Sequence, residues 1–268
     1  MAVPTSLKSF FGFTRHPFPP SCPPEPLFRH AALDSAIEQA KNAIASRLHV
    51  LVTAPAGLGK SSFLRLLADE LNPRDVRAVR MSGQGTGAME LVFKISDELG
   101  VETSVRSRSA AVKLLVAGLK RLSSSGPFPV ALIDEAQNLP VGALDLVRVA
   151  AEEAAPPLIA FVLAGDESLR RALAKPACAP LLGRLAARVR LEPFGENETE
   201  AFVAHAFRAA GMQNLLAPSS IATVHAASGG SPRGIGAILA RAMNVALEKK
   251  SRLLTDEIVQ EVIDDRAA

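Results

Sequence analysis

Cysteine is nearly missing from this sequence, and so is any long apolar run. Two cysteines, Cys22 and Cys178, among 268 residues cannot build a disulfide framework, and they are too few for a zinc site without histidine partners nearby. Both read as reduced thiols, so a cytoplasmic location is expected. No uninterrupted apolar stretch approaches the roughly 18 residues of a membrane span. The longest, "AAPPLIAFVLAG" from Ala154 to Gly165, is too short and carries two prolines. The amino terminus, "MAVPTSLKSFFGFTRHPFPP", has one lysine and no apolar core ahead of a cleavage site, so no signal peptide is read there. Internal repeats and low-complexity tracts are missing as well.

What is present is the composition of an ordinary globular chain, with 48% apolar and 21% charged residues, long enough for one large domain or two modest ones. A net charge of +3 and a pI near 9.1 permit contact with nucleic acid without establishing it. Arg170, Arg171, Lys175, Arg184, Arg188 and Arg190 fall within about twenty residues, a clustering that a solvated helical face would also produce.

Along the chain, the first 28 residues are rich in Pro and Phe and read as an ordered arm rather than an element. Helical periodicity begins with "HAALDSAIEQAKNAIASRL". A short apolar strand, "HVLVTA", then leads through a glycine loop into the helix "KSSFLRLLADEL". "VRAVRM" reads as a second strand and "GAMELVFKISDELG" as a helix ended by Gly100. A helix from Ser109 to Ser123 precedes the strand in "VALIDEAQNLP". A helix near Val141–Glu153 follows, then the buried strand "LIAFVLAG" and a fifth strand in "ARVRLEPF". Apolar strands alternating with helices predict an α/β fold, a five-stranded parallel sheet with helices on both faces. From about Gly195 onward the segments are all helical. The expected organisation is an arm over residues 1–28, an α/β nucleotide-binding domain over 29–194 and a small helical domain over 195–268.

The stretch "LVTAPAGLGKSSFLRLLADEL" carries the first chemistry. Its window Ala54-Pro55-Ala56-Gly57-Leu58-Gly59-Lys60-Ser61 fits the phosphate-loop pattern G-x-x-x-x-G-K-[ST] in the right place, between a strand and a helix. Small residues let successive backbone N–H groups converge on phosphate oxygens at the positive end of the helix. Lys60 would reach the β- and γ-phosphates of ATP, and the Ser61 hydroxyl would bind Mg²⁺. Pro55, Ala56, Gly57, Leu58, Gly59 and Ser62 complete the cradle. The first glycine of the pattern is Ala54, which suffices if its φ stays negative.

"VALIDE" supplies the second half, an apolar strand running into Asp134 and Glu135 about 75 residues further on. That separation leaves room for intervening βα units of about 30 residues each. Asp134 can hold Mg²⁺ through water or Ser61, and Glu135 can orient and polarise the attacking water. Together the two motifs read as a nucleoside triphosphatase.

In order and spacing, several further stretches resemble the AAA+ ATPases, and within them the ExeA-type family. "FFGFTRHPFPP" is similar to the family's amino-terminal signature, and "PEPLFRHAALDSAIEQ" to the segment that closes over the base, which implies base contacts for Phe28 and His30. "LIDEAQNL", "LAGDESLRRAL", "LLGRLAARVRLEPFGENETEAFVAHAFRAAG" and "SGGSPRGI" resemble its later motifs. The resemblance implies that Arg233 is a lid arginine touching the γ-phosphate. It makes Arg184 the arginine finger offered to a neighbouring subunit, with Arg188 as the alternative. Asp166 stands where the family has glutamine, and reads better as the cap of the helix beginning at Glu167. Gln137 is either a residue that couples nucleotide state to a partner or a turn residue.

The secretion-associated relatives add a membrane span and a cell-wall-binding domain, and neither is read here. The compact relatives resemble the transposition helper ATPases of the TniB, TnsC, MuB and IstB group. The resemblance therefore implies an ATP-dependent homo-oligomer, ring or filament, that binds double-stranded DNA and regulates or selects targets for a transposase. Its DNA contacts would be non-specific and salt-dependent. Arg77, Arg80 and Lys113 are DNA contacts suggested by charge alone, with solvated surface the favoured reading for each. The alternatives are a secretion-type assembly ATPase acting through a protein partner, and an ATP-dependent scaffold with little turnover.

Overall fold

In a computed structural model, residues 6–19, 24–103, 105, 107–123, 126–152, 154–176 and 178–267 are described. Cys22 lies outside them. The chain forms two compact units, one of Ala31–Ala56 with Lys60–Leu191 and one of Met1–His30, Gly57–Gly59 and Glu192–Ala268.

The first of these is α/β. After α1 (Leu7–Phe11), which belongs to the other unit, come α2 (Ala31–Ala45), β1 (Val50–Thr53), α3 (Lys60–Glu70), β2 (Val76–Ser82), α4 (Ala88–Glu98) and α5 (Arg108–Ser123). They are followed by β3 (Phe128–Asp134), a 3-10 turn (Ala136–Asn138), α6 (Val141–Glu152), β4 (Ala160–Gly165), α7 (Glu167–Leu173), α8 (Ala179–Arg184) and β5 (Ala187–Arg190). The five strands pair in parallel in the order β2-β3-β4-β1-β5. β4 lies at the centre and all six of its residues are buried. That is why "AFVLAG" is apolar without alternation: helices cover both faces of a parallel sheet. The edge strands instead carry exposed arginines, Arg77 and Arg80 on β2, Arg188 and Arg190 on β5, which discourage further strand pairing.

Register sets up the site. Thr53 pairs with Gly165, Ile133 with Leu163 and Ser82 with Asp134, so β1, β2, β3 and β4 end near one level. β1 sits between β4 and β5 while the chain passes from β1 to the far edge at β2. Ligands of open parallel sheets bind beyond the carboxyl ends of the strands where the order reverses.

At the opposite end of β1, His49 is 2% exposed and its Nδ1 accepts the Phe161 N–H at 3.1 Å. Burial, with the nearby Arg184 charge second, pushes its pKa down from 6.5 to about 4. The unfolded chain therefore binds this proton more readily than the folded one. The contribution to stability is fully present above pH 6.5 and is lost as pH falls through about 4, an upper bound of about 3 kcal/mol. His49→Asn, which keeps an acceptor and does not titrate, is expected to flatten that part of the stability profile. Denaturant unfolding of both proteins between pH 7 and 4 measures it.

In the second unit, α9 (Glu196–Ala209), α10 (Ser220–Ser228), α11 (Pro232–Glu248) and α12 (Asp256–Ala267) gather around Phe202, Phe207, Ile235, Leu239 and Met243. The amino-terminal arm contributes Phe10, Phe11, Phe13 and Phe18 to the same core. Phe18 meets the Phe207 ring edge-on at 5.3 Å, and Thr14 bonds to the Ala210 carbonyl through both N–H and hydroxyl. The expectation that the arm contains no element is corrected. Leu7–Phe11 is helical, because the Ser6 hydroxyl accepts from Ser9 N–H at its start and Gly12 closes it in the left-handed region.

Candidate nucleotide site

The loop after β1 is built as its sequence requires. Ala54 keeps a negative φ, is 2% exposed and donates its N–H to the Gly165 carbonyl at 3.1 Å. The methyl group in place of the expected glycine is thus accommodated. Pro55 and Ala56 are exposed. Lys60 opens α3 with only 6% of its surface exposed, and its Nζ donates to the carbonyls of Ala54 at 3.1 Å and Pro55 at 3.3 Å. The ammonium is held at the strand side of the loop by backbone oxygens. Ser62 is the half-buried residue after Ser61 on α3.

Asp134 joins the two motifs. Its Oδ2 accepts from the Ser61 hydroxyl at 2.5 Å, and its Oδ1 accepts from the Glu135 N–H at 2.9 Å. A hydroxyl and a carboxylate side by side are hard oxygen donors that suit Mg²⁺. This ion normally takes one or two carboxylates and completes its shell with water and phosphate oxygens. Among the described residues no group of three or more His, Cys, Asp or Glu side chains converges on a metal position. Glu135 stands directly after, in the left-handed region at φ 49° and ψ 38°. A non-glycine residue costs about 1–3 kcal/mol there, and such residues cluster at functional sites. Gln137, on the 3-10 turn, donates from Nε2 to Glu135 Oε2 at 2.5 Å.

Asp166 caps α7. Its Oδ1 accepts the Ser168 N–H at 2.8 Å and the Ser168 hydroxyl at 2.5 Å. Those bonds, the Ser168 hydroxyl first, and the Lys60 charge hold its pKa below the usual aspartate value. The cap reading is the observed one.

One contributor escaped the sequence reading. The segment "SGQGTG" after β2 tucks Gly83 beneath the acidic tip, with its N–H donated to the Asp134 carbonyl at 2.7 Å. A Cβ on Gly83 would lie 2.8 Å from the Glu135 carbonyl oxygen. Three glycines in six residues at the end of a strand were the available signal. Gly83→Ala is expected to displace Glu135 and lower phosphate release several-fold while leaving nucleotide affinity within about twofold, as backbone displacement at a strand tip implies. Parallel calorimetry and phosphate assays test this.

The remaining sequence candidates fall elsewhere. In the helical unit, Leu58 is buried between Gly57 and Gly59, at φ +87° and +90°. The Gly57 carbonyl accepts from the Arg233 N–H and the Ser231 hydroxyl, both at 3.3 Å. Arg233 is the exposed second residue of α11, after the N-cap Ser231 and Pro232. Phe28 stacks on His30 at 5.9 Å and 15°. Phe194 packs edge-on to both rings. His30 Nδ1 lies 2.9 Å from Glu198 Oε1 without the alignment of a hydrogen bond.

In the α/β unit, Arg184 ends α8, exposed and near His49. That is the amino end of β1, about 13 Å of strand away from the loop. Arg188 is exposed on β5. Neither is placed beside Asp134 and Glu135. Arg77 donates from Nη2 to the Glu98 carbonyl at 2.6 Å, closing the end of α4, while Arg80 and Lys113 are exposed.

The sheet order, the lysine-bearing loop and the acidic tip are those of the P-loop AAA+ fold, and residues 44–173 match the family model of the AAA domain. Among particular relatives, the chain is 28% identical over 250 residues to general secretion pathway protein A of Aeromonas hydrophila. The match takes in 90% of this chain and 45% of that protein, so the chain spans less than half of that relative. The Cdc6p structure from Pyrobaculum aerophilum superposes with a TM-score of 0.71 at 18% identity, covering 95% of this chain and 70% of that one. The ORC1 protein of Aeropyrum pernix, solved in complex with DNA, gives 0.63 at 16% identity, over 87% and 65%. Among the described residues no helix is long and apolar enough to cross a membrane.

Proposed function

We propose that this chain is an ATP-hydrolysing AAA+ protein that oligomerises on double-stranded DNA and regulates, or selects targets for, a transposase in the cytoplasm. The observation that carries the ATPase part is the joining of Ser61 to Asp134, with Lys60 and Glu135 beside them in sequence. Lys60 binds the β- and γ-phosphates, with Pro55, Ala56, Gly57, Leu58, Gly59 and Ser62 forming the cradle. Ser61 and Asp134 would hold Mg²⁺, which would supply charge neutralisation to the phosphates. Glu135 takes a proton from water as the water oxygen bonds to the γ-phosphorus. The bond from that phosphorus to the ADP oxygen breaks with its electron pair leaving on ADP, and Glu135 returns the proton to the products.

Residues 195–268 would act as a lid carrying Arg233, with Phe28 and His30 of the arm region against the base. Arg184 would act on a neighbouring subunit's nucleotide, as the resemblance implies, with Arg188 as the other choice. DNA binding is supported by the basic balance and by fold likeness to a protein solved on DNA. The transposase as partner rests on the resemblance to transposition helpers. The similarity to a secretion pathway protein along nine-tenths of the chain favours a second reading, an assembly ATPase acting through a protein partner.

Co-sedimentation with duplex DNA and Mg-ATP at low and high salt separates the two. DNA-dependent pelleting that weakens steeply with salt supports the first; none at either salt supports the second. Persistent ATP binding without phosphate release would leave only a scaffold.

A further inference from the structure

The Gln137 side chain is held in an arrangement that a plain turn residue does not need. Its amide has one donor group and one acceptor, and the donor faces the Glu135 carboxylate at 2.5 Å. A carboxylate only accepts, so the amide cannot be turned over without losing that bond. The consequence falls on the other end. Oε1 is buried with no donor among the described residues, and it fills the space over Gly165, where a Cβ would lie 2.8 Å from it. A buried, unpaired amide oxygen is unfavourable. The arrangement is kept because the bond to a charged group is the stronger one.

Its surroundings are equally fixed. Gly165 ends the central strand and its carbonyl accepts from Ala54 N–H, so the floor under the amide is tied to the phosphate loop. The backbone of Glu135 is already in the left-handed region, which turns its side chain away from the direction that β3 would give it. Among the described residues, the Gln137 amide is a side-chain hydrogen-bond partner of this carboxylate.

We propose that Gln137 is a positioning residue for hydrolysis: its amide holds the Glu135 carboxylate in the orientation that receives the proton of the attacking water. Gln137 acts through Glu135, the group its amide bonds. The inference rests on the reading of Glu135 as the group that polarises water.

Gln137→Met keeps length and shape and removes the donor, and steady-state ATPase kinetics test it. The expected result is kcat lower by about 5–20-fold, with KM for ATP within about twofold of wild type, the pattern of an interaction made in the transition state. In a Glu135→Gln background the same substitution is expected to change the residual rate by less than about twofold, since a residue acting only through Glu135 has nothing left to position. Gln137→Glu sets a second carboxylate against the first, and is expected to lose at least as much as Gln137→Met.

An unchanged or raised kcat in both single variants overturns the inference, as does an equal fold-loss in both backgrounds, which marks a structural role. Wild-type protein without turnover, or Glu135→Gln turning over like wild type, overturns instead the reading of the site itself. The two failures are thus told apart.

Discussion

Lys60→Ala is expected to remove nucleotide binding, with affinity for Mg-ATP falling by at least about 100-fold. The magnitude follows from the loss of a charge-assisted contact to phosphate, worth about 1.5–3 kcal/mol for each hydrogen bond to a charged group. A second effect adds to it. The same ammonium now bonds the Ala54 and Pro55 carbonyls, so its removal also frees the strand side of the loop. Isothermal calorimetry with magnesium supplied measures the loss. Thermal unfolding provides a check, because wild-type protein at about 100 times its dissociation constant gains about 2.7 kcal/mol from ligand. The alanine variant should gain almost none. A variant that binds like wild type would mean that the loop does not cradle phosphate, and the ATPase reading would fall with it.

Glu135→Gln is expected to do the opposite: hold nucleotide and fail to turn it over. The amide keeps the shape and cannot take a proton, so phosphate release should fall by about 10²–10⁴-fold, the range for loss of a general base. Affinity should stay within about threefold, since the phosphate contacts made by Lys60 and the loop are unaffected. Trapping in the bound state should also lengthen the life of any ATP-dependent assembly, visible by analytical ultracentrifugation or by electron microscopy with DNA. Normal turnover in this variant would move the catalytic base elsewhere. Asp166 would not replace it, because its carboxylate is engaged by Ser168 as the cap of α7.

Much of the α/β unit was legible because its signals are local. An apolar run ending in a small-residue loop, then Gly-Lys-Ser, defines β1, the loop and the start of α3 without reference to the rest of the chain. "VALID" defines β3 in the same way. The strand order was not legible, since register and neighbours are chosen by the packing of helices over the whole sheet, and no local pattern records that β4 separates β1 from β3.

The same reason hid Gly83 and the role of the arm. Gly83 matters only because β2 pairs with β3 and brings its end under Glu135. The arm phenylalanines looked like irregular sequence because the partners that bury them lie beyond residue 190. Arg184 could be singled out by resemblance, but its distance from the loop required the sheet. The Gln137–Glu135 bond needed coordinates as well, since the left-handed turn that allows it is unusual for glutamate.

The phenylalanine-rich arm gives the protein a built-in handle. Phe10, Phe11, Phe13 and Phe18 pack into the helical core, so a fluorophore attached near Ser6 would report on residues almost two hundred positions away in sequence. For the same reason, a chain trimmed to start at Phe28 would leave Phe202 and Phe207 uncovered, and such a fragment should aggregate rather than dissolve.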